Sequence, residues 1–445
     1  MPPPTSDTPC GYGLHLCINC VNILIKFRFK DERTDSRRCQ PWQAPPSTQH
    51  HRQESPKPTA PASCDTSTAT ASAHARKSPQ PSASPQQPSP KITAQLIEAH
   101  AIEETGDLDG KKNRRSIGLA LDTAHFHVIG VKFARSLVQI GVFDLTGNQS
   151  SLTTLPYVSN DTIGETIATV HSTIEQLLHE DPTIVAIGMA VPGPYLRNNG
   201  HTAVVSSMQG WRAINFIDEF ANSFTVPVFI EQDARAGVLA NSLFDPNSNG
   251  EPNLAYYLVG EGVGLGVIDH GRIINGALGT ATEIGHVSID VNGKPCDCGN
   301  IGCLECYCST PAIHQMLIDN GTIVNGADSM SHTEACRALF ALAHHGDEAA
   351  LAMIRTIGTY IGYGCLIIFN TFNPHTIVIG DIVSEAGQPL LDEIKRTVRQ
   401  RAIPEIYEST TIRLTTMPTD ATVLGAAAVA INYLLDHPSD FFSFN

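Results

Sequence analysis

The 445-residue chain is poor in charge and in aromatic side chains: 16% of residues are charged, 6% are aromatic, and Trp occurs twice. It has no uninterrupted apolar run of the ~18 residues that would suggest a membrane span. The best candidate, Ile18 to Ile25, is too short, sits among polar residues, and lacks the basic lead-in and small-residue cleavage site of a signal peptide. Basic residues are also scarce, 29 Lys+Arg against 44 Asp+Glu, for a net charge of −15. These shortages speak against a membrane protein, a secreted protein, and a body that holds nucleic acid by bulk charge. The 42% of hydrophobic residues permits a sizeable core and excludes a wholly disordered or fibrous chain. A cytoplasmic location is expected.

The charge is unevenly divided. Residues 1–91 hold 11 Lys+Arg and 6 Asp+Glu, a net of +5; the other 354 hold 18 and 38, a net of −20. Fifteen of the 29 prolines precede Lys91. Residues 1–90 read as a disordered Pro/Ser-rich segment, because they bury too little apolar surface to offset ordering entropy. Cys17 and Cys20 have the spacing of half a zinc site, but no second half follows.

Residues 91–124 change character. Ile92, Leu96 and Ile97 recur at helical spacing up to His100, and a charged turn and the alternating strand SIGLALD follow. A helix, a two-stranded ribbon and a basic tip of Lys111, Lys112, Arg114 and Arg115 match the second half and wing of a winged helix-turn-helix. The plainer reading is a solvated hairpin ahead of the main fold. Pro85, Pro88 and Pro90 would break a recognition helix placed before the wing, which leaves the DNA-binding unit partial. A shifted reading frame upstream of Lys91 would account for this; translation of the other two frames then yields a proline-free helix pair.

Residues 125–445 alternate strands and helices. A hairpin over Val128–Gly147, an amphipathic helix over Thr162–Glu180 and a strand ending at Val191–Gly193 are followed, from Asn253, by a second set of the same kind. That set includes a long helical stretch from Asp347 to Phe369 and the strand TIVIGDIV. The implied architecture is α/β in two related lobes, one about 125–243 plus 421–445 and the other about 244–420.

The most specific feature is His286-x9-Cys296-x-Cys298-x4-Cys303. One imidazole and three thiolates suit a tetrahedral structural zinc, with Gly299 and Gly302 letting the backbone wrap around the ion. Disulfides are the alternative; Cys306 and Cys308 read as buried bystanders.

The motif EIGH…CDCGNIGCLE resembles the ROK family of repressors, open reading frames and sugar kinases. VPGP (191–194), EQDARAG (231–237), VGEGVGLGV (259–267), VIGDIV (378–383) and LGAAAVA (424–430) fall in family order. The resemblance implies an actin-like (ribonuclease H-like) two-lobed sugar-kinase fold. It places sugar contacts at Gln232, Asp233, Glu283, His286 and Glu305, and makes Asp233 the general base of kinase members. His286 would give one nitrogen to zinc and turn the other toward a hydroxyl. Two positions depart, Gln232 and Ser207, where the family has Asn. On residues alone, Glu283 would read as a solvated helix-end carboxylate.

Kinase members also need glycine-rich turns for the ATP phosphates. Their D-x-G-G-T is Lys132-Phe133-Ala134-Arg135-Ser136 here, so Arg135 would fill the space of the phosphates. Their G-T-G-x-G becomes Gly260-Glu261-Gly262-Val263-Gly264, and a carboxylate ~4 Å from a phosphate oxygen costs ~4 kcal/mol at an effective dielectric near 20. A third expected glycine is Asp381. These read as three independent losses, so ATP-Mg is not expected as a cofactor and structural zinc is.

The function expected is a sugar-responsive transcriptional regulator, a repressor, taking a sugar or sugar phosphate and an operator DNA and acting as a homodimer or homotetramer. The alternatives are an ATP-dependent sugar kinase and a sugar-binding protein without DNA binding.

Overall fold

The computed structural model describes residues 90–107, 117–203, 209–248, 250–417 and 421–441. The readings of residues 1–89 (with Cys17, Cys20, Pro85 and Pro88), of the tip residues Lys111, Lys112, Arg114 and Arg115, and of Ser207 lie outside the described residues.

Helix α1 (Pro90–Glu98) opens on Pro90, where a missing N–H costs nothing. The expected continuation to His100 does not occur: the helix ends at Glu98, and His100 turns the chain at φ 54°. Strands β1 (Ile102–Asp107) and β2 (Ile117–Leu121) pair antiparallel. The hairpin is not a free arm. Leu96, Ile102, Leu119 and Leu121 are buried in one cluster with Val128, Phe143, Ala186, Val423 and Ile431 of the body.

The body contains two five-stranded sheets of the same plan. The first is built from β3 (His127–Phe133), β4 (Val138–Asp144), β5 (Gln149–Thr154), β6 (Ile184–Val191) and β9 (Val228–Gln232), with the two-residue pair β7 (Tyr195–Leu196) and β8 (His201–Thr202) beside it. Its order is β5-β4-β3-β6-β9: an antiparallel meander, then two parallel strands. The second sheet contains β10 (Leu254–Val259), β11 (Val263–Asp269), β12 (Arg272–Ile273), β13 (Thr376–Gly380) and β14 (Thr411–Leu414). Its order, β12-β11-β10-β13-β14, repeats the first with the same directions. The α/β duplication expected from alternation is therefore present. One correction concerns TIVIGDIV, in which the strand stops at Gly380 and Asp381 begins a turn.

Helix α2 (Ile163–Glu180) buries Ile163, Ile167, Val170 and Ile174, three or four residues apart, against the first sheet. Helix α3 (Asp233–Phe244) lies between the sheets, where a Cβ on Gly266 of β11 would stand 2.2 Å from the Ala234 carbonyl oxygen. Helix α4 (Glu348–Phe372) is long and apolar enough to cross a membrane by length and composition. Yet 56% of its most apolar window is buried in the fold, and Ile354, Ile357, Ile361 and Ile368 belong to the second core. The C-terminal helix α5 (Ala421–Asp436) crosses the first sheet at a bare spot. There Gly130 and Gly188 are paired in register, and a Cβ on Gly188 would come 1.9 Å from the Ala426 carbonyl oxygen. Only glycine lets that helix backbone sit on the strands.

Candidate functional site

Strand β9 runs directly into α3, and this junction carries the first group of expected site residues. Gln232 caps the helix, its Oε1 accepting the Arg235 N–H at 3.0 Å. Asp233 Oδ1 accepts the Ala234 N–H at 2.7 Å. Burial pushes the Asp233 carboxyl up to about 6, and Asp381 adds to the shift, while the Ala234 N–H, Lys132 and Arg135 oppose it. Beneath them Arg235 is wholly buried. Its Nε donates to Glu231 Oε1 at 2.7 Å, and Glu231 also pairs with Arg197. Neither Glu231 nor Arg235 is singled out by the sequence reading, although both stand inside EQDARAG. Glu231 lies near the end of a strand and Arg235 in the first turn of the following helix, so no helical spacing marks the pair in the sequence.

Glu283 and Glu305 face the same charges. Burial pushes the Glu283 carboxyl up to about 8, with Asp233 and Glu305 adding to the shift and Arg235 opposing it. Glu283 Oε1 is buried without a hydrogen-bond partner among the described residues. It is therefore not a solvated helix-end group. Glu305 opens the short helix Glu305–Cys308. Its Oε2 accepts the Val263 N–H at 2.9 Å, and its Oε1 accepts Arg135 Nη2 at 3.1 Å.

Between Glu283 and Glu305 the chain folds into the Cys-rich knot. His286, Cys296, Cys298 and Cys303 each bring one ligand atom into a group in which every pair lies within 4.8 Å. Cys296 Sγ stands 3.7 Å from His286 Nδ1, and Cys298 Sγ 3.7 Å from Cys303 Sγ. Metal–sulfur bonds of ~2.3 Å in a tetrahedron give Sγ–Sγ edges of about 3.8 Å, so the donor set and its spacing could hold a metal ion. Among the described residues no disulfide joins these cysteines. Gly299 and Gly302 turn the loop at φ 90° and 72°. Cys306 and Cys308 stay outside the group.

The third cluster joins the two sheets. The loop after β3 meets the turn between β10 and β11: Glu261 Oε1 accepts the Ser136 hydroxyl at 2.7 Å, and Oε2 accepts the Arg135 N–H at 3.1 Å. Trp211 Nε1 donates to the Arg135 carbonyl at 3.0 Å from the other side. Asp381 sits at φ 69°, a conformation that favours glycine, and its carboxylate accepts the Ile382 N–H at 2.5 Å. A Cβ on Gly260 would meet that carboxylate at 2.7 Å. Burial raises the Asp381 carboxyl, and Glu261 and Glu385 add, whereas the Lys132 ammonium and the Ile382 N–H lower it.

A model of the ROK family matches residues 128–433. The chain belongs to the ROK family. Similar relatives are the xylose repressor of Bacillus spizizenii, 28% identical over 77% of this chain and 86% of the relative, and the DNA-binding transcriptional dual regulator NagC of Escherichia coli, 29% identical over 70% and 77%. Among solved structures, a ROK family transcriptional regulator homologous to the E. coli MLC protein aligns with a TM-score of 0.64 at 26% identity, covering 78% of this chain and 88% of that one. A ROK family glucokinase from Streptomyces griseus, in complex with glucose and AMPPNP, aligns at 0.60 and 22% over 68% and 98%, a likeness of fold.

In this ROK protein the three stretches expected to depart from kinase phosphate loops, at Lys132–Ser136, Gly260–Gly264 and Asp381, interact with one another. The field of Lys132 lowers the Asp381 carboxyl. Glu261 bonds the loop of Ala134, Arg135 and Ser136. The Arg135 guanidinium lies against the glycine turn, where a Cβ on Gly262 would stand 2.7 Å from its Nη2, and from there it reaches Glu305. That pairing spans 170 residues of sequence and carries no local signal.

Proposed function

We propose that this ROK protein is a sugar-responsive transcriptional regulator of the repressor type that no longer uses ATP. The observation that carries the reading is the Glu261 carboxylate, held by the Arg135 N–H and the Ser136 hydroxyl. A backbone N–H and a hydroxyl of a loop that would face a nucleotide phosphate in a kinase are here spent on an internal anion. The relatives support the rest: proteins named as xylose repressors and NagC are similar over most of the chain. The domain plan that follows is an N-terminal DNA-reading segment ending in residues 91–124, a partial winged helix-turn-helix, and a sugar-binding body from 125 to 445. Two copies would set two reading heads against two half-sites.

The ligand is a sugar contacted by Gln232, Asp233, Glu283, His286 and Glu305. Glu283 Oε1, buried and unpartnered, is an acceptor that a sugar hydroxyl would satisfy. The acidic side chains of Asp233 and Glu305 favour an uncharged sugar over a sugar phosphate, since Arg135 is already committed to Glu305. The ion proposed for His286, Cys296, Cys298 and Cys303 is structural Zn²⁺, and its three thiolates fit the reducing cytoplasm.

The test is binding and turnover in parallel. The metal-loaded protein is expected to bind at least one member of a panel of pentoses, hexoses and N-acetylhexosamines, and to release no ADP from ATP-Mg²⁺ with any of them. A second reading, sugar kinase, is favoured by Asp233, whose carboxyl near 6 suits a general base. Sugar-dependent ADP release abolished by Asp233→Asn would establish that reading instead.

A further inference from the structure

We propose a second metal site, separate from the cysteine knot, in which His100, Asp122 and His125 take a divalent transition-metal ion at the base of the N-terminal hairpin. The three side chains bring one ligand atom each to within 4.8 Å of the others. They come from different places. His100 stands in the turn between α1 and β1, Asp122 directly follows β2, and His125 lies just before β3. The Asp122 N–H donates to the Ala101 carbonyl at 3.2 Å, which sets the first two side by side.

The carboxylate is already oriented. Its Oδ1 accepts the N–H groups of Ala124 at 2.9 Å and His125 at 3.2 Å. Oδ2 is thereby turned toward His125 Nδ1 at 2.7 Å and His100 Nδ1 at 3.8 Å. The two imidazoles are stacked at 4.0 Å between centroids and 11° between planes. Since a metal binds in the ring plane, one ring must swing about its Cβ–Cγ bond to share an ion, which two half-exposed side chains permit. Metal–nitrogen and metal–oxygen bonds of ~2.0–2.2 Å need ligand atoms ~3–3.5 Å apart, a spacing the two observed distances bracket. Asp122 is buried, while His100 and His125 are half exposed, so an ion can enter from solvent and keep water at its remaining positions.

Two imidazoles and a carboxylate select borderline ions such as Zn²⁺, Co²⁺ and Ni²⁺ over Ca²⁺ and Mg²⁺. With no thiolate, the site is chemically distinct from the knot. Bound metal would tie the hairpin base to the start of β3, and so tie the N-terminal segment to the body.

The experiment uses full-length protein, stripped by chelation and titrated with Co²⁺. The expected result is two equivalents, one giving thiolate-to-metal charge-transfer absorption and one not. His125→Ala and His100→Ala are each expected to lose the second equivalent while keeping the charge-transfer band and the circular dichroism of the wild type. Asp122→Asn, which preserves the acceptor for the turn, is expected to weaken it more than tenfold. Hydrogen exchange of the β1 and β2 amides is expected to slow on adding Ni²⁺ to wild type and not to His125→Ala. A single equivalent in wild type, or a second equivalent that survives His125→Ala, overturns the site and leaves His125 and Asp122 as a local hydrogen bond.

Discussion

Cys298→Ser is expected to release the bound ion and lower the melting temperature by about 10 °C or more. That figure is the scale for losing several kcal/mol of metal-linked folding free energy in a body of this size. The segment from Val287 to Cys303 has little apolar burial to hold it: Val287, Val291 and Ile301 are all exposed. Its internal order rests on two isolated bridges, Ser288 with Cys303 and Pro295 with Ile301, and on tight turns at Gly299 and Gly302. Without metal, four ligating side chains lose their common partner, and three thiolates would protonate or oxidise. The consequence reaches the proposed ligand wall, because Glu283 precedes His286 by three residues and Glu305 follows Cys303 by two. Sugar affinity is therefore expected to fall more than tenfold in the same variant. Metal analysis, a thermal melt and a sugar titration check the chain of cause. Unchanged metal content and melting temperature would show that the knot holds itself together.

The parts legible in the sequence are those with local causes. Strand runs such as IVAIGMAV and the hairpin around Gly260–Gly262 follow from β-branched residues and turn glycines. The cysteine knot follows from spacing, since a ligand set confined to residues 286–303 is already close in sequence. What could not be read is the pairing between loops of the two sheets. Arg135 with Glu305, Glu261 with Ser136, and the field of Lys132 on Asp381 join residues more than 100 positions apart, and each looks like an isolated oddity in a linear reading. A different kind of miss is Arg235. A wholly buried arginine contradicts the usual preference for the surface, and only the buried Glu231 beside it explains its place.

Replacing Lys132 tests whether these charges form one system. Lys132→Met is expected to destabilise the protein at pH 7 by roughly 1–3 kcal/mol, because it leaves Asp381 and Asp233 without the cation that lowers both. The deficit is expected to shrink in the double variant with Asp381→Gly, which also restores a glycine at φ 69°. Additive effects in a double-mutant cycle of thermal melts would mean that the two side chains are not energetically coupled.

Asp233→Asn is expected to move stability and ligand affinity in opposite directions. In the folded chain the carboxyl lies near 6, against an ordinary value of 3.8, so the folded state holds its proton more tightly than the unfolded one. Stability linked to this group is therefore full below pH 4, declines as pH rises toward 6, and stays reduced above it. With allowance for partial solvent access, the cost at pH 8 is roughly 1–3 kcal/mol. Asparagine removes the charge while its oxygen keeps the Ala234 N–H bond, so the variant should melt higher than wild type at pH 8 and level with it near pH 4. The same change removes a charged acceptor from the ligand wall, a loss of roughly 1.5–3 kcal/mol, or about 10- to 100-fold in sugar affinity. A group retained at a cost to the fold is what a binding carboxylate requires. If Asp233→Asn raised the melting temperature at pH 8 and left sugar affinity unchanged, Asp233 would have no part in holding the ligand. The wall would then reduce to Glu283, His286 and Glu305 around the metal knot.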